Sequence, residues 1–282
     1  MASRWQRFVR FPLTRLVIGL VWISVPFAAL QIVREEAGLQ FAGAASALLA
    51  LAIAATSAAA YISYVRVVER RRVDELARDG AVRQVALGIA IGVAAFSTTM
   101  LAICLTASCT IGAGDGASVM LATLAWAISA GVFEELAFRG IVFRIIEDGL
   151  GTWAALAISA AVFGLLHGFN PNATITSSAA IALEAGILLA AGFIYTRRLW
   201  LPIGMHLAWN FTESGVFGAT VSGHSIGGIA ATRTAGPELI TGGEFGPEAS
   251  IIAVVVCVSV AVTLLVLAHR RGRFIAPMWR RR

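Results

Sequence analysis

A chain of 282 residues that is 58% hydrophobic and only 13% charged is not a soluble domain, in which about a quarter of residues carry charge. The formal net charge of +6 rests on 22 arginines and no lysine. These arginines lie between apolar runs, where a membrane accounts for them, so no nucleic-acid partner is expected.

The N-terminus sets Arg4, Arg7, Arg10 and Arg15 before the apolar run Leu16–Val33. That run is too long for the core of a signal peptide and no small-x-small cleavage site follows it directly, so it reads as a retained first span. A turn from Arg34 to Gln40 leads to the alanine-rich second span, Phe41–Val65. The basic loop Arg66–Arg83 follows, with Arg70-Arg71-Arg72 at its centre. The third span, Gln84–Ala107, carries Gly88 and Gly92 at the small-xxx-small spacing that lets helices approach closely. A glycine-rich turn, Ile111–Gly116, precedes the fourth span, an apolar run from Ala117 to Ile146. The fifth, Thr152–Gly168, stops at Asn170-Pro171-Asn172, a turn signal. The sixth is Ser177–Thr196, and the seventh, Leu201–Phe217, begins with Pro202 in a favourable first-turn position. Gly218–Ala249 is glycine-rich and reads as irregular, and Ser250–Ala268 is the eighth span. Cys104, Cys109 and Cys257 lie in or beside these runs without metal or redox spacing and are assigned no role.

The expected fold is therefore an all-α polytopic membrane protein with about eight transmembrane helices. It divides into helices 1–3 with their basic loop (1–115), a core of helices 4–7 (116–217), an external loop (218–249) and the last helix with its basic tail (250–282). Alternation through eight spans places nineteen of the 22 arginines on one side. Arg34 and Arg233 lie opposite, and Arg139 is inside a span. By the positive-inside rule both termini are cytoplasmic.

Inside the fourth span stands Phe133-Glu134-Glu135-Leu136-Ala137-Phe138-Arg139-Gly140. A charge at mid-membrane costs about 2.5–3.5 kcal/mol on insertion scales, so ionisable residues there point to function. Glu135 and Arg139 are helical i,i+4 neighbours and can pair. Glu134 points about 100° away and has no partner in its own motif. An unpaired acid beside a charge-paired one has the character of a general base. His167 closes the fifth span, and His206 and Asn210 share one face of the seventh. Together these residues supply a base, imidazoles to orient water, and an amide to stabilise an oxyanion. Glu134, His167 and His206 are also a ligand set that zinc accepts, although the His-Glu-x-x-His helical motif is absent. Proton relay in a secondary transporter and simple helix cross-linking in a scaffold are competing readings, though no internal repeat supports the former. Residue counts from the cytoplasmic ends place His206 roughly 15 Å from the depth of Glu134 and His167, so helix ends or tilts must differ from the run boundaries.

In this order and on separate apolar spans, Glu134-Glu135-x-x-x-Arg139, Phe163-x-x-x-His167 and His206-x-x-x-Asn210 resemble the three motifs of the CAAX-processing and bacteriocin-processing (CPBP) intramembrane endopeptidases. The likeness runs from about Val119 to Glu213. It implies that Glu134 and His167 activate water, that His206 and Asn210 hold the oxyanion, and that Glu135 and Arg139 support the motif helix. It implies membrane lipid as surroundings and a membrane-associated protein or peptide as substrate, lipid-modified chains included. No cofactor is needed in that mechanism, with zinc as the alternative. Some members of the family are scaffolds or immunity proteins, and Glu184 and Glu213 inherit no role. The all-arginine composition points to a bacterial inner membrane.

Overall fold

The computed structural model describes residues 11–39 and 43–281. The arginines at positions 4, 7 and 10, the start of the second span at Phe41, and Arg282 lie outside the described residues. Each expected span corresponds to one helix. These are α1 (Pro12–Glu36), α2 (Gly43–Glu69), α3 (Ala81–Thr106), α4 (Gly116–Leu150), α5 (Thr152–His167), α6 (Ile175–Thr196), α7 (200–216) and α8 (Ile251–Arg270). Six of them, all but α5 and α7, are long and apolar enough to cross a membrane. The chain is an all-α, multi-pass membrane protein with one small β-ribbon.

Local chemistry starts and stops these helices. Pro12 opens α1, where its missing N–H costs nothing. Thr174 and Ser177 cap α6 reciprocally, and the Ser250 hydroxyl accepts the Ala253 N–H at the head of α8. Gly88 and Gly92 let α3 lie directly on α7: a Cβ at Gly88 would stand 2.8 Å from Met205 N, and one at Gly92 would stand 2.9 Å from Ala208 Cβ. The small-residue spacing thus positions the helix that carries His206 and Asn210. The buried centre is filled by Tyr61, Leu136, Phe143, Phe193 and their neighbours from α2, α4 and α6.

At the arginine-rich rim a charge network ties the helix ends. Glu69 accepts from Arg15 at 2.6 Å, Arg71 at 2.7 Å and Arg144 at 2.6 Å. Glu75 accepts two hydrogen bonds from Arg71, at 2.8 and 2.6 Å, and one from the Tyr61 hydroxyl. Burial would raise the Glu75 pKa, but the Arg71 hydrogen bond and charge and the Tyr61 hydrogen bond outweigh it, and the carboxyl sits below its usual range.

Three expectations are corrected. The run 218–249 is not wholly irregular: Ala230–Ala235 forms β2, and Glu238–Thr241 forms one helical turn. The stretch expected as a turn before α4, Ile111–Gly116, gives its first three residues to β1, Ser108–Ala113, which is antiparallel to β2 in the register Ser108↔Ala235 to Ala113↔Ala230. Cys104 and Cys109 are joined in a disulfide that ties β1 to the end of α3. Disulfides persist in oxidising compartments, so this bond is a second reason, beside the arginine count, to expect the ribbon on the side opposite most arginines. Ser225 is exposed in the 218–249 loop, Cys257 is buried, and the other two cysteines are paired. A Ser225→Cys variant should therefore be labelled by a membrane-impermeant maleimide applied to the outside of intact cells. Labelling only after lysis would reverse the orientation.

Candidate active site

The site is built from α4, α5 and α7. Glu134 and Glu135 lie just before α4 widens into a π-type stretch at Leu136–Phe143, and α6 and α7 widen likewise at Ala182–Gly186 and Phe211–Val216. Such widened turns release backbone groups from the regular ladder and recur at functional sites. Here the effect is visible. Arg139 donates to the carbonyls of Ala185 and Gly186, each at 3.1 Å, and to Glu135 Oε1 at 2.8 Å. The guanidinium also lies 4.7 Å from the centre of the Phe163 ring. The expected Glu135–Arg139 pair is present, and both residues are fully buried.

Glu135 has a second task. Its Oε1 accepts from His206 Nδ1 at 2.9 Å, which turns Nε2 of that ring towards Glu134. His167 Nδ1 lies 2.8 Å from the Phe163 carbonyl. A carbonyl can only accept, so Nδ1 carries a proton, and in the neutral ring Nε2 presents a lone pair. Glu134 Oε2 stands 3.9 Å from Nε2 of His167 and 3.9 Å from Nε2 of His206. That oxygen is buried with no protein partner. A separation of 3.9 Å is too long for a hydrogen bond but suits two groups bound to one water by legs of about 2.8 Å. Asn210, one turn beyond His206, lines the adjoining cavity of about 30 Å³ with both histidines. Helix geometry and three cross-helix contacts thus bring all six motif residues together.

The depth mismatch is absent from the structure: Nε2 of both histidines lies 3.9 Å from Glu134, so the ends or tilts of α4, α5 and α7 differ from one another.

Zinc holds nitrogen and oxygen ligands at about 2.0–2.2 Å in a tetrahedron, which sets neighbouring donors about 3.3–3.6 Å apart. The histidine tautomers would suit a metal, but both separations from Glu134 exceed that span. Among the described residues no group of three or more His, Cys, Asp or Glu is placed to hold one. The donor set as arranged does not fit zinc.

Residues 116–212 match the family model of type II CAAX prenyl endopeptidases, Rce1-like. The Rce1-like segment contains every motif residue, from Glu134 to Asn210, and covers about a third of the chain. It supports a CAAX-type intramembrane protease. No curated protein and no solved structure matches the chain.

Sequence reasoning missed a clasp over the cavity, part of which lies beyond the Rce1-like segment. Glu248 is buried and accepts from Trp209 Nε1 at 3.1 Å, from Ser222 N at 2.8 Å and from the Ser222 hydroxyl at 2.7 Å. The Ser222 carbonyl accepts from Asn170 at 3.1 Å. Trp209 adjoins Asn210, and Asn170 lies three residues beyond His167, so the clasp joins α7 to the chain just past α5, two of the three helices that carry the candidate groups. The available signal was an indole donor beside Asn210 and a lone acid just before the α8 cap. Glu184, which inherited no role, lines the same cavity, while Glu213 is fully buried away from its lining.

Proposed function

We propose that the chain is an intramembrane endopeptidase of a bacterial inner membrane. It hydrolyses a peptide bond in a membrane-associated protein or peptide, lipid-modified chains included. The observation that carries this reading is the convergence of Glu134, His167 and His206 from three helices, with Nε2 of each imidazole 3.9 Å from the same Glu134 oxygen.

The chemistry follows from the partners of each group. Water between Glu134 and the His167 lone pair gives one hydrogen to each as hydrogen-bond donor. As its oxygen attacks the carbonyl carbon, its proton passes to Glu134. The negative charge moves to the carbonyl oxygen, facing His206 Nε2 and the Asn210 amide. Because Nδ1 of His206 already donates to Glu135, Nε2 can donate as well only when the ring is the imidazolium. Glu135 is placed to stabilise that charge, with Arg139 holding it in position. When the tetrahedral intermediate collapses, the C–N bond breaks and the leaving nitrogen takes the proton back from Glu134. Every step uses side chains of this protein alone.

The test is cleavage of membrane-anchored peptides by the purified protein in detergent, read by mass spectrometry. New fragments are expected. Proton-coupled uptake into proteoliposomes without any cleavage would favour a transporter instead. Cleavage should persist in protein stripped of metal by a chelator and shown to be metal-free by elemental analysis. Activity that vanishes on stripping and returns with zinc alone would overturn the metal-free mechanism.

A further inference from the structure

Away from the cavity, the loop between α2 and α3 forms a groove of about 710 Å³ lined by Arg66, Arg70, Arg71, Arg72 and Asp74. We propose that this groove binds the phosphate headgroup of an anionic phospholipid in the leaflet at the arginine-rich rim. The inference does not rest on the protease reading.

Charge is the first observation. Four guanidiniums face one carboxylate. Arg71 is committed to Glu69 and Glu75. Arg72 and Asp74 are 3.5 Å apart but 92% and 75% exposed, so their pairing is weak. Arg66 and Arg70 are exposed and have no ion pair among the described residues. The groove therefore presents uncompensated positive charge.

The second observation is that its floor is fixed. Arg71 holds Glu75 with two hydrogen bonds, and the Glu75 carbonyl accepts the Leu199 N–H at 3.0 Å. The Ala77 carbonyl accepts from Trp200 Nε1 and from Arg198, each at 2.9 Å. Arg70, at φ 55°, reverses the chain directly after α2. The free arginines are thus displayed on a frame anchored to the helices, and binding need not order a loose loop.

Position selects the ligand. The groove begins at the last turn of a membrane-spanning helix, and Val67 beside it is 60% exposed and apolar. Arginines directly outside a span meet the negatively charged surface of anionic lipid, which attracts them.

The experiment measures the thermal midpoint of the full chain in micelles of phosphatidylcholine with increasing phosphatidylglycerol. The wild type should be stabilised in a saturable way. The triple variant Arg66→Gln, Arg70→Gln, Arg72→Gln should need at least about ten-fold more phosphatidylglycerol for the same rise. A variant of equal charge loss elsewhere on the same rim, Arg270→Gln, Arg273→Gln, Arg280→Gln, should behave as wild type. Asp74→Asn removes the opposing carboxylate, and should need less lipid. Native mass spectrometry of lipid adducts keeps the test valid if the triple variant is less stable from the outset. Equal losses in the two triple variants would show diffuse attraction and overturn the site. The same rise with inorganic phosphate in pure phosphatidylcholine would assign the groove to a soluble anion and overturn the lipid.

Discussion

Glu134→Gln should abolish peptide cleavage to background while leaving substrate binding intact. Glutamine keeps the shape and one hydrogen-bonding oxygen but cannot take the proton from water. Its motif neighbours do not replace it: Glu135 is occupied by Arg139 and His206, and the His167 ring lacks a carboxylate on its far side to stabilise a proton. Removal of an oxyanion donor is a milder loss. Asn210→Ala should reduce kcat by roughly 10²–10³-fold with little change in KM. Both variants are to be compared by single-turnover cleavage and by substrate capture on the inactive protein. Retained cleavage in Glu134→Gln would remove the general base from the mechanism.

The second large effect concerns folding. Arg139→Ala should cost about 3–5 kcal/mol, because it strands the fully buried Glu135 carboxylate with only His206 as partner. It also leaves the Ala185 and Gly186 carbonyls, freed by the widened turn of α6, without the donor that reaches them. The readout is the yield of folded protein and its thermal midpoint in detergent. A midpoint equal to wild type would show that Arg139 does not bind these helices together. Substituting Glu135 and Arg139 together should cost less than the sum of the single changes, since the two form one unit.

Much of this site is legible in the chain because membranes make polar residues conspicuous. Glu134, Glu135, Arg139, His167, His206 and Asn210 stand out against apolar surroundings, and helical spacing alone pairs Glu135 with Arg139. The two glycines of α3 announce a close helix contact, though not that α7 is the partner. What escapes is set by contacts between distant segments. β1 and β2 are separated by more than a hundred residues and, apart from Ile111, consist of small and polar residues with no clean alternation, so neither reads as a strand by itself. Glu248 looks like a loop acid until folding brings Trp209 and Ser222 to it. The Cys104–Cys109 pair depends on how the chain turns after α3. Relative helix depth is also hidden, because a count of residues assumes level ends and parallel axes, and the approach of both histidines to Glu134 shows that one or both fail.

The length of α5 has a consequence for the lipid around the protein. Its 16 residues rise about 24 Å, whereas the hydrocarbon of a typical bilayer is about 30 Å thick. Leu165, Leu166 and Phe169, at the end of α5 and just past it, are exposed and apolar, so acyl chains reach the point where the helix stops beside His167. Lipid meets such a shortfall by thinning locally, at a cost that grows with acyl-chain length. The candidate water site then lies closer to the membrane surface than a full-length span would place it. Long-chain lipids would bury that approach and short-chain lipids would open it, which makes membrane thickness itself a determinant of how readily water and substrate arrive.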